Sequence, residues 1–570
     1  MTDHPTSAPW LDHYGSVPAH LEYPACTLYQ MFAASAARTP DAIAWDFFDQ
    51  RTRYRSALAA IDRCADALAA AGLQRDQRLL IALPTTPQAV IAFYAANKLG
   101  AVSALIHPLS TPPEIQHYLD ATSATVVLTL DALYASFAAV RPQHALQRIV
   151  LTSIGDALSP LQRLAFWWRK GRRIAAIPAD PRVLHWKPWL GASQPVAPMA
   201  ARQTDEPAAI LFSGGTTALP KGIVLSNRNF IAQGLQACAW GRIGASDSIL
   251  AILPIFHGFG LGVCVNAAMM VGATAILVPT FDASSVARLI RRKRPSILVG
   301  VPTLYAALCR DQALAGADLS CLRAAFCGAD SLPRPLKEGF EALVARGGGK
   351  LRLLEGYGLT EAVTGIMAMP LDDYREGSIG LPFPDMHAKI CAPGTEQTVA
   401  IGSEGEICLA GPALMLGYLD DPQATASTLR RHADGRIWLH TGDLGRQDAD
   451  GFFYFSVRLK RMIKSSGFNV YPAQVEAVLV DHPLVAEACV IGLPDPDQVE
   501  RVLACVVLKD ATNANADTAA ALIAYSRERL IKWSCPRTIR FCKALPKTRI
   551  GKIDYRSLQQ QTLAEEAKTP

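Results

Sequence analysis

The chain has 570 residues, 50% of them hydrophobic and 19% charged, with a net charge of +6 at neutral pH. A chain this long and apolar builds more than one core, which excludes a disordered or fibrous protein and predicts two or more globular domains. The charge is too dilute to mark a nucleic-acid binder, and no nucleic-acid-binding module is present, although local positive charge would suit anionic cofactors. Thirteen cysteines, an odd number without a C-x-x-C pair, match neither a disulfide framework nor a zinc site and predict reduced thiols in a cytoplasmic protein.

The first residues, MTDHPTSAPWLDHYG, carry acids and prolines where an export signal needs a basic start and an apolar core, so no signal is expected there. Leu28 to Ala37 and Arg55 to Ala71 read as Ala-rich helices, the second closed by Gly72. LLIALP (79–84) reads as a buried strand, Pro87 to Lys98 as a helix ending at Gly100, and AVSALIHP (101–108) as the next strand. ATVVLTL (124–130) and RIVLTS (148–153) continue this βαβ rhythm, which predicts a mostly parallel sheet covered by helices.

Between Leu158 and Ala179 there is no acid, while Arg163, Arg169, Lys170, Arg172 and Arg173 accompany Trp167 and Trp168. A helical wheel puts Leu161, Leu164, Ala165 and Trp168 on one face, with Arg172 among them. The first expectation is a solvated surface helix whose tryptophans lie on the protein; the alternative is peripheral contact of Leu161–Arg173 with the inner face of a membrane. His185 to Pro207 reads as a polar connection into a second α/β unit.

AAILF (208–212) reads as a strand that delivers SGGTTALPKG (213–222). There Gly214 and Gly215 would let the backbone approach phosphate oxygens, Ser213, Thr216 and Thr217 offer hydroxyls, and Lys221 supplies a point charge. The alternative for the same residues is a polar turn between a strand and a helix. Phe259 to Val278 lacks charge and is long enough to span a bilayer, yet Gly260, Gly262, Gly272 and Pro279 divide it into a short helix and a buried strand. SILVGVPTLYAAL (296–308), LRAAFCGADSLP (322–333) and KLRLLEGYGLTEA (350–362) repeat strand-then-turn units, with LRLL as the last strand and EGYGLTE at its carboxyl end. Ser378 to Phe455 reads as a small β-rich subdomain, and a boundary falls near Lys460.

An enzyme that adenylates an acid must hold triphosphate and magnesium, fix the ribose, and neutralise charge at the α-phosphorus. SGGTTALPKG, LPIFHGFG, EGYGLTEA, GEICLAGPALMLGYL, WLHTGD, RLKRMIKSSGFNVYP and PKTRIGKIDYRSL stand in the order and approximate spacing of the AMP-forming acyl-CoA synthetases, and the match covers most of the chain. The sequence thus resembles the adenylate-forming superfamily of acyl-CoA ligases, luciferases and peptide-synthetase adenylation domains. The resemblance implies an α/β fold with a large N-terminal AMP-binding domain (1–459), made of two α/β sheet subdomains and a β-rich one, and a mobile α+β C-terminal domain (460–570).

Thr360 and Glu361, a hydroxyl beside a carboxylate, suit a hard cation such as Mg2+; in the family the threonine meets the α-phosphate and the glutamate the metal. Tyr357 resembles the aromatic that stacks on adenine, and Gly328 and Ala329 the turn beside the base. Asp443 offers two acceptors to ribose hydroxyls, and Arg458 resembles the basic partner at that sugar. Lys552 resembles the lysine that stabilises charge on the α-phosphate. Lys460 resembles a hinge about which the small domain rotates, bringing Lys464 and the SSGF turn with Gly467 to the CoA channel. His257 resembles a residue at the mouth of the acyl pocket and needs no base role, because a carboxylate is already ionised at pH 7.

Two positions depart from the family. Gly214 stands for the commoner serine, and Ala218 for a glycine, at a cost of ~1 kcal/mol if positive φ is required there. Gly214, the N-terminal PWLDHYGSVPAHLEYP and the basic Trp-containing insert resemble long-chain fatty acid:CoA ligases. The implied function is an ATP-, Mg2+- and CoA-dependent acid:CoA ligase acting on a medium- or long-chain fatty acid through an acyl-AMP. An aryl or cyclic acid, or transfer of the acyl group to a carrier protein, are the rival readings. Joint presence of Lys221, Glu361, Asp443 and Lys552 disfavours a non-catalytic acyl-binding protein, and the lack of a GxxxxGK[ST] loop or a GxSxG elbow disfavours P-loop kinases and serine hydrolases.

Overall fold

The computed structural model describes residues 8–140, 146–195, 203–212, 220–465, 468–495, 499–530, 534–548 and 552–566. The fold is α/β, with four sheets among these residues. One large sheet runs Leu381–Pro382, Gly365–Ala368, Leu353–Gly358, Ala324–Cys327, Ile297–Gly300, Ser248–Ala251, Thr274–Leu277, Ile43–Phe47 and Gln50–Arg53 in spatial order. The second runs Gly417–Tyr418, Gly222–Ser226, Pro207–Phe212, Val102–Leu105, Arg78–Ala82, Val126–Leu130, Arg148–Thr152 and Val183–His185. Both are mainly parallel, as the apolar runs predict, because strands buried on both faces have no polar side to alternate.

Helix Pro87–Lys98 shows how the two sheets are joined. Thr86 caps it, Pro87 starts it, and every residue from Pro87 to Asn97 is buried. It lies in one continuous core with Leu79 and Ile81 of one sheet and Ile249 and Leu250 of the other. Inside that core the Tyr94 hydroxyl donates to Asn266 Oδ1 at 2.7 Å, so its polar end is satisfied.

The uncharged stretch after Phe259 forms a π-helix, Phe259–Asn266, then Ala267–Val271, then the strand Thr274–Leu277. Two glycines let its start pack against backbone: a Cβ on Gly258 would sit 1.7 Å from Val363 O, and one on Gly260 2.2 Å from Pro254 O. Among the described residues no helix is long and apolar enough to cross a membrane.

A five-stranded antiparallel sheet contains His387–Cys391, Gly405–Ala410, Ile437–Gln447, Leu429–Arg431 and Phe453–Arg458. The smaller C-terminal domain has its own sheet, Phe468–Val470, Ile463–Ser465, Val499–Leu508, Val485–Asp495 and Thr538–Phe541, with apolar clusters on both faces.

Three expectations need correction, and one hairpin lies outside them. The segment from His185 to Pro207 is not a plain connection: His185 ends the strand Val183–His185, and the helix Trp186–Ala192 follows, with Trp186 buried beside Trp189. The strand that LRLL begins continues through Gly358, because Gly356, Tyr357 and Gly358 pair with Gly365–Ala368. The hairpin Ile43–Phe47 and Gln50–Arg53 escapes the sequence, its first strand being too short to show a period. Finally, the tryptophans of Pro160–Arg169 do not lie on the protein: Trp167 is 55% and Trp168 61% exposed.

Candidate active site

Strands Leu353–Gly358, Ala324–Cys327, Ile297–Gly300 and Ser248–Ala251 lie side by side and parallel, so their carboxyl ends open onto one crevice, the usual ligand position in α/β sheets. Gly328 and Ala329 follow Ala324–Cys327, and Ala329 holds a φ of +74°, a strained conformation for a residue with a Cβ. A Cβ on Gly328 would stand 3.1 Å from Gly356 O and 3.4 Å from the Phe259 ring, so this wall is tight for any larger residue.

The end of the neighbouring strand supplies Tyr357. Its hydroxyl donates to Asp443 Oδ2 at 2.8 Å. Asp443 is buried and sits directly across from Arg458 in the pairing of Ile437–Gln447 with Phe453–Arg458, which brings Arg458 Nε to 3.0 Å from Asp443 Oδ1. Burial pushes the Asp443 carboxyl above its ordinary range, against the pull of Arg458, the Tyr357 hydroxyl and Lys552. Asp443 in turn raises the Arg458 guanidinium.

Thr360 and Glu361 begin a short 3-10 turn just past Tyr357. Glu361 Oε1 accepts from the Tyr418 hydroxyl at 2.9 Å, and Tyr418 lies under Lys221, whose Nζ is 5.0 Å from its ring. Lys221 Nζ also donates to Asp421 Oδ2 at 3.0 Å. This cluster exists because Gly417–Tyr418 pairs antiparallel with Gly222–Ser226, placing a distant segment beside the hairpin of Pro207–Phe212 and Gly222–Ser226.

His257 is held neutral: burial first, and then the Lys552 charge, lower its pKa to about 4. Its Nδ1 accepts from the Phe259 N–H at 3.2 Å, which leaves Nε2 to carry the proton. Lys552 comes from the opposite end of the chain. Its N–H donates to Thr548 Oγ1 at 3.1 Å and its carbonyl accepts from the Thr548 N–H at 2.7 Å. The ammonium is half-buried, and burial and then Arg458 lower its pKa while Asp330 and Asp443 raise it.

The fold therefore brings Gly328, Ala329, Tyr357, Asp443, Arg458, His257 and Lys552 to one crevice, with Thr360, Glu361 and Lys221 continuing it on the side of the strand Gly222–Ser226. Ser213, Gly214, Gly215, Thr216, Thr217 and Ala218 lie outside the described residues, as does Gly467; so do the side chains of Lys460 and Lys464. Sequence reasoning passed over Tyr418 and Asp421, which sit in the GYLDD run, and Asp330, which follows the Gly328–Ala329 turn. Their only signal was a hydroxyl or acid close to a motif already in view.

The residues fit a nucleotide. Asp443 Oδ1 is buried with the Arg458 guanidinium beside it at 3.0 Å but no hydrogen bond of good geometry, so it keeps acceptor capacity for a sugar hydroxyl. Glu361 and Thr360 are hard oxygen donors of the kind magnesium takes.

The chain belongs to the AMP-binding enzyme family: that family's model matches residues 32–419, and the model of the AMP-binding enzyme C-terminal domain matches residues 474–552. It is 33% identical over 561 residues to a long-chain-fatty-acid–CoA ligase of Bacillus subtilis, covering 97% of this chain and 98% of that protein. It is 30% identical to 4-coumarate–CoA ligase 2 of Oryza sativa, covering 96% and 94%. Among solved structures, ATP-bound MatB from Rhodopseudomonas palustris superposes with a TM-score of 0.81 at 25% identity, covering 94% of this chain and 99% of that one.

Proposed function

We propose that this AMP-forming acid:CoA ligase activates a medium- or long-chain fatty acid. The observation that carries the reading is the end-to-end similarity to the Bacillus subtilis long-chain-fatty-acid–CoA ligase. The similarity to a plant 4-coumarate–CoA ligase keeps an aryl acid as the second reading. Acid-dependent exchange of pyrophosphate into ATP over a panel of aliphatic and aromatic acids tests it. Exchange is expected with fatty acids; exchange with aromatic acids alone overturns the assignment. Thioester formation with free CoA and no carrier protein is expected, and its failure favours the carrier-protein reading.

In the first half-reaction a carboxylate oxygen attacks the α-phosphorus of ATP, the bond to the pyrophosphate oxygen breaks, and pyrophosphate leaves. In the second, the CoA sulfur attacks the acyl carbon and AMP leaves. In this reading Tyr357 and Gly328 border the adenine, Asp443 and Arg458 hold the ribose, and Ser213 to Thr217 with Lys221 hold the outer phosphates. Thr360 and Lys552 face the α-phosphate, and His257 lines the acyl entry as a neutral side chain. Glu361 would hold Mg2+, which when bound neutralises phosphate charge. Lys460 acts as the hinge that exchanges Lys552 for the Lys464 and Gly467 segment when CoA enters.

We further infer that the helix Pro160–Arg169 rests on an anionic membrane surface, the phase that holds long-chain acids. Supporting this are Leu161 at 81% and Leu164 at 62% exposure beside the two exposed tryptophans, with Arg163 among them, four basic residues following and no acid. Gln162 Nε2 donates to Phe48 O at 2.8 Å and ties the helix to the protein, while Arg172 lies over the Trp168 ring at 5.0 Å and adds a cation to the apolar face. Each cation near an anionic surface contributes on the order of 1 kcal/mol. Flotation with anionic vesicles is expected to carry the enzyme, and to lose it when Arg163, Arg169, Lys170, Arg172 and Arg173 are changed to Gln. Equal flotation of the two overturns the inference.

A further inference from the structure

The five-stranded sheet carries a second group of chemistry-bearing side chains that the ligase reaction does not use. In its register Cys391 stands opposite Glu406, Lys389 opposite Cys408, and Cys408 opposite His440. Residues two apart on a strand share a face, so Lys389, Cys391, Glu406, Cys408 and His440 all project from one side. Cys391, Glu406, Cys408 and His440 are buried.

Their donor atoms converge. His440 Nδ1 lies 2.9 Å from Glu406 Oε2 and 3.6 Å from Cys408 Sγ, and one donor atom from each of these three residues falls within 4.8 Å of the others. The Cys391 thiol lies against that of Cys408 in the same small cluster. Neighbouring groups orient these donors. The Gly442 N–H donates to Glu406 Oε1 at 2.9 Å, which leaves Oε2 turned to the cluster. His432 Nε2 meets His440 Nε2 at 2.9 Å, fixing the ring so that Nδ1 faces the thiols.

From this juxtaposition we propose that Cys408, His440 and Glu406, with the Cys391 thiol beside Cys408 drawn in as the fourth donor, form a structural Zn2+ site. Two thiolates, one imidazole and one carboxylate make the mixed soft and borderline donor set that tetrahedral zinc takes. Binding releases the two thiol protons to solvent, and the resulting centre carries one net negative charge. Lys389, whose ammonium lies 4.1 Å from the Trp438 ring on the same face, supplies the compensating charge. The absence of a C-x-x-C motif hid this set, because its ligands come from three strands and meet only through their register. Asp443 lies three residues beyond His440 on one strand, so the ion would anchor the segment that carries it.

The test is metal content of the full-length enzyme, purified without chelator, exchanged against one equivalent of Zn2+ and desalted. About one Zn2+ per chain is expected, falling to below about one tenth in Cys391→Ser/Cys408→Ser. Co2+ in place of Zn2+ is expected to give a thiolate-to-metal absorption band that the double variant lacks. Because that variant could misfold, His440→Gln with both thiols intact serves as a second: its zinc content is expected to fall at least tenfold, with the circular dichroism spectrum retained. Zinc below one tenth per chain in the unaltered enzyme, unchanged zinc in both variants, or a mass two hydrogens short from a Cys391–Cys408 disulfide each overturns the proposal.

Discussion

Replacing Lys552 by alanine is expected to slow acyl-adenylate formation by ~10²–10³-fold, the range seen when a single group that stabilises transition-state charge is removed. Thioester formation from supplied acyl-AMP and CoA is expected to fall by less than about tenfold, because a residue that acts in one half-reaction leaves the other rate nearly intact. The expectation rests on placement: a lysine from the C-terminal domain is held in a two-hydrogen-bond turn with Thr548 and reaches a crevice lined by Arg458, Asp330 and Asp443. Equal loss of both rates would contradict the idea that the small domain presents different residues to the two steps. The pH profile adds a second readout. Burial and Arg458 lower the Lys552 pKa, so its charge is lost as pH rises, and lost earlier than for a free lysine. Adenylation should therefore decline on the alkaline side below the ordinary lysine range, and Lys552→Arg should move that decline upward. His257, with a pKa of about 4, contributes no limb between pH 6 and 8.

Asp443→Ala is expected to raise the KM for ATP by about 10²-fold, from the loss of hydrogen bonds to a charged group worth ~1.5–3 kcal/mol. The KM for the acid should change far less. The same change strips the Tyr357 hydroxyl of its acceptor and Arg458 of its ion-pair partner, so the melting temperature should also fall. Tyr357→Phe separates these effects, since it keeps the ring and removes only the hydroxyl. If Asp443→Ala moved the two KM values equally, the carboxylate would be shaping the crevice as a whole rather than holding the ribose.

Much of this crevice is legible in the chain because its residues lie at strand ends, where a run of apolar residues stops and glycines begin. The strand Ala324–Cys327 followed by Gly328 and Ala329 is such a case, and so is Leu353–Gly358 followed by Thr360 and Glu361. Tyr418 and Asp421 were harder, since neither lies beside Lys221 or Glu361 in sequence and each acquires its partner only when Gly417–Tyr418 pairs with Gly222–Ser226. The basic helix was misjudged for a related reason. A helical wheel shows which side chains share a face but not what that face meets, and the tryptophans expected on the protein are exposed.

By itself the sequence determined the alternation of helices and parallel strands, because apolar periodicity and glycine or proline breaks are local properties of the chain. It also determined the family, through seven short motifs kept in order. Tertiary structure alone decided which of those motifs touch. Asp443 and Arg458 meet because a hairpin register sets them opposite each other, and Lys552 reaches them because the C-terminal domain lies against the large one. The Glu406, Cys408 and His440 cluster follows the same rule, since strand pairing joins residues whose spacing along the chain carries no sign of it.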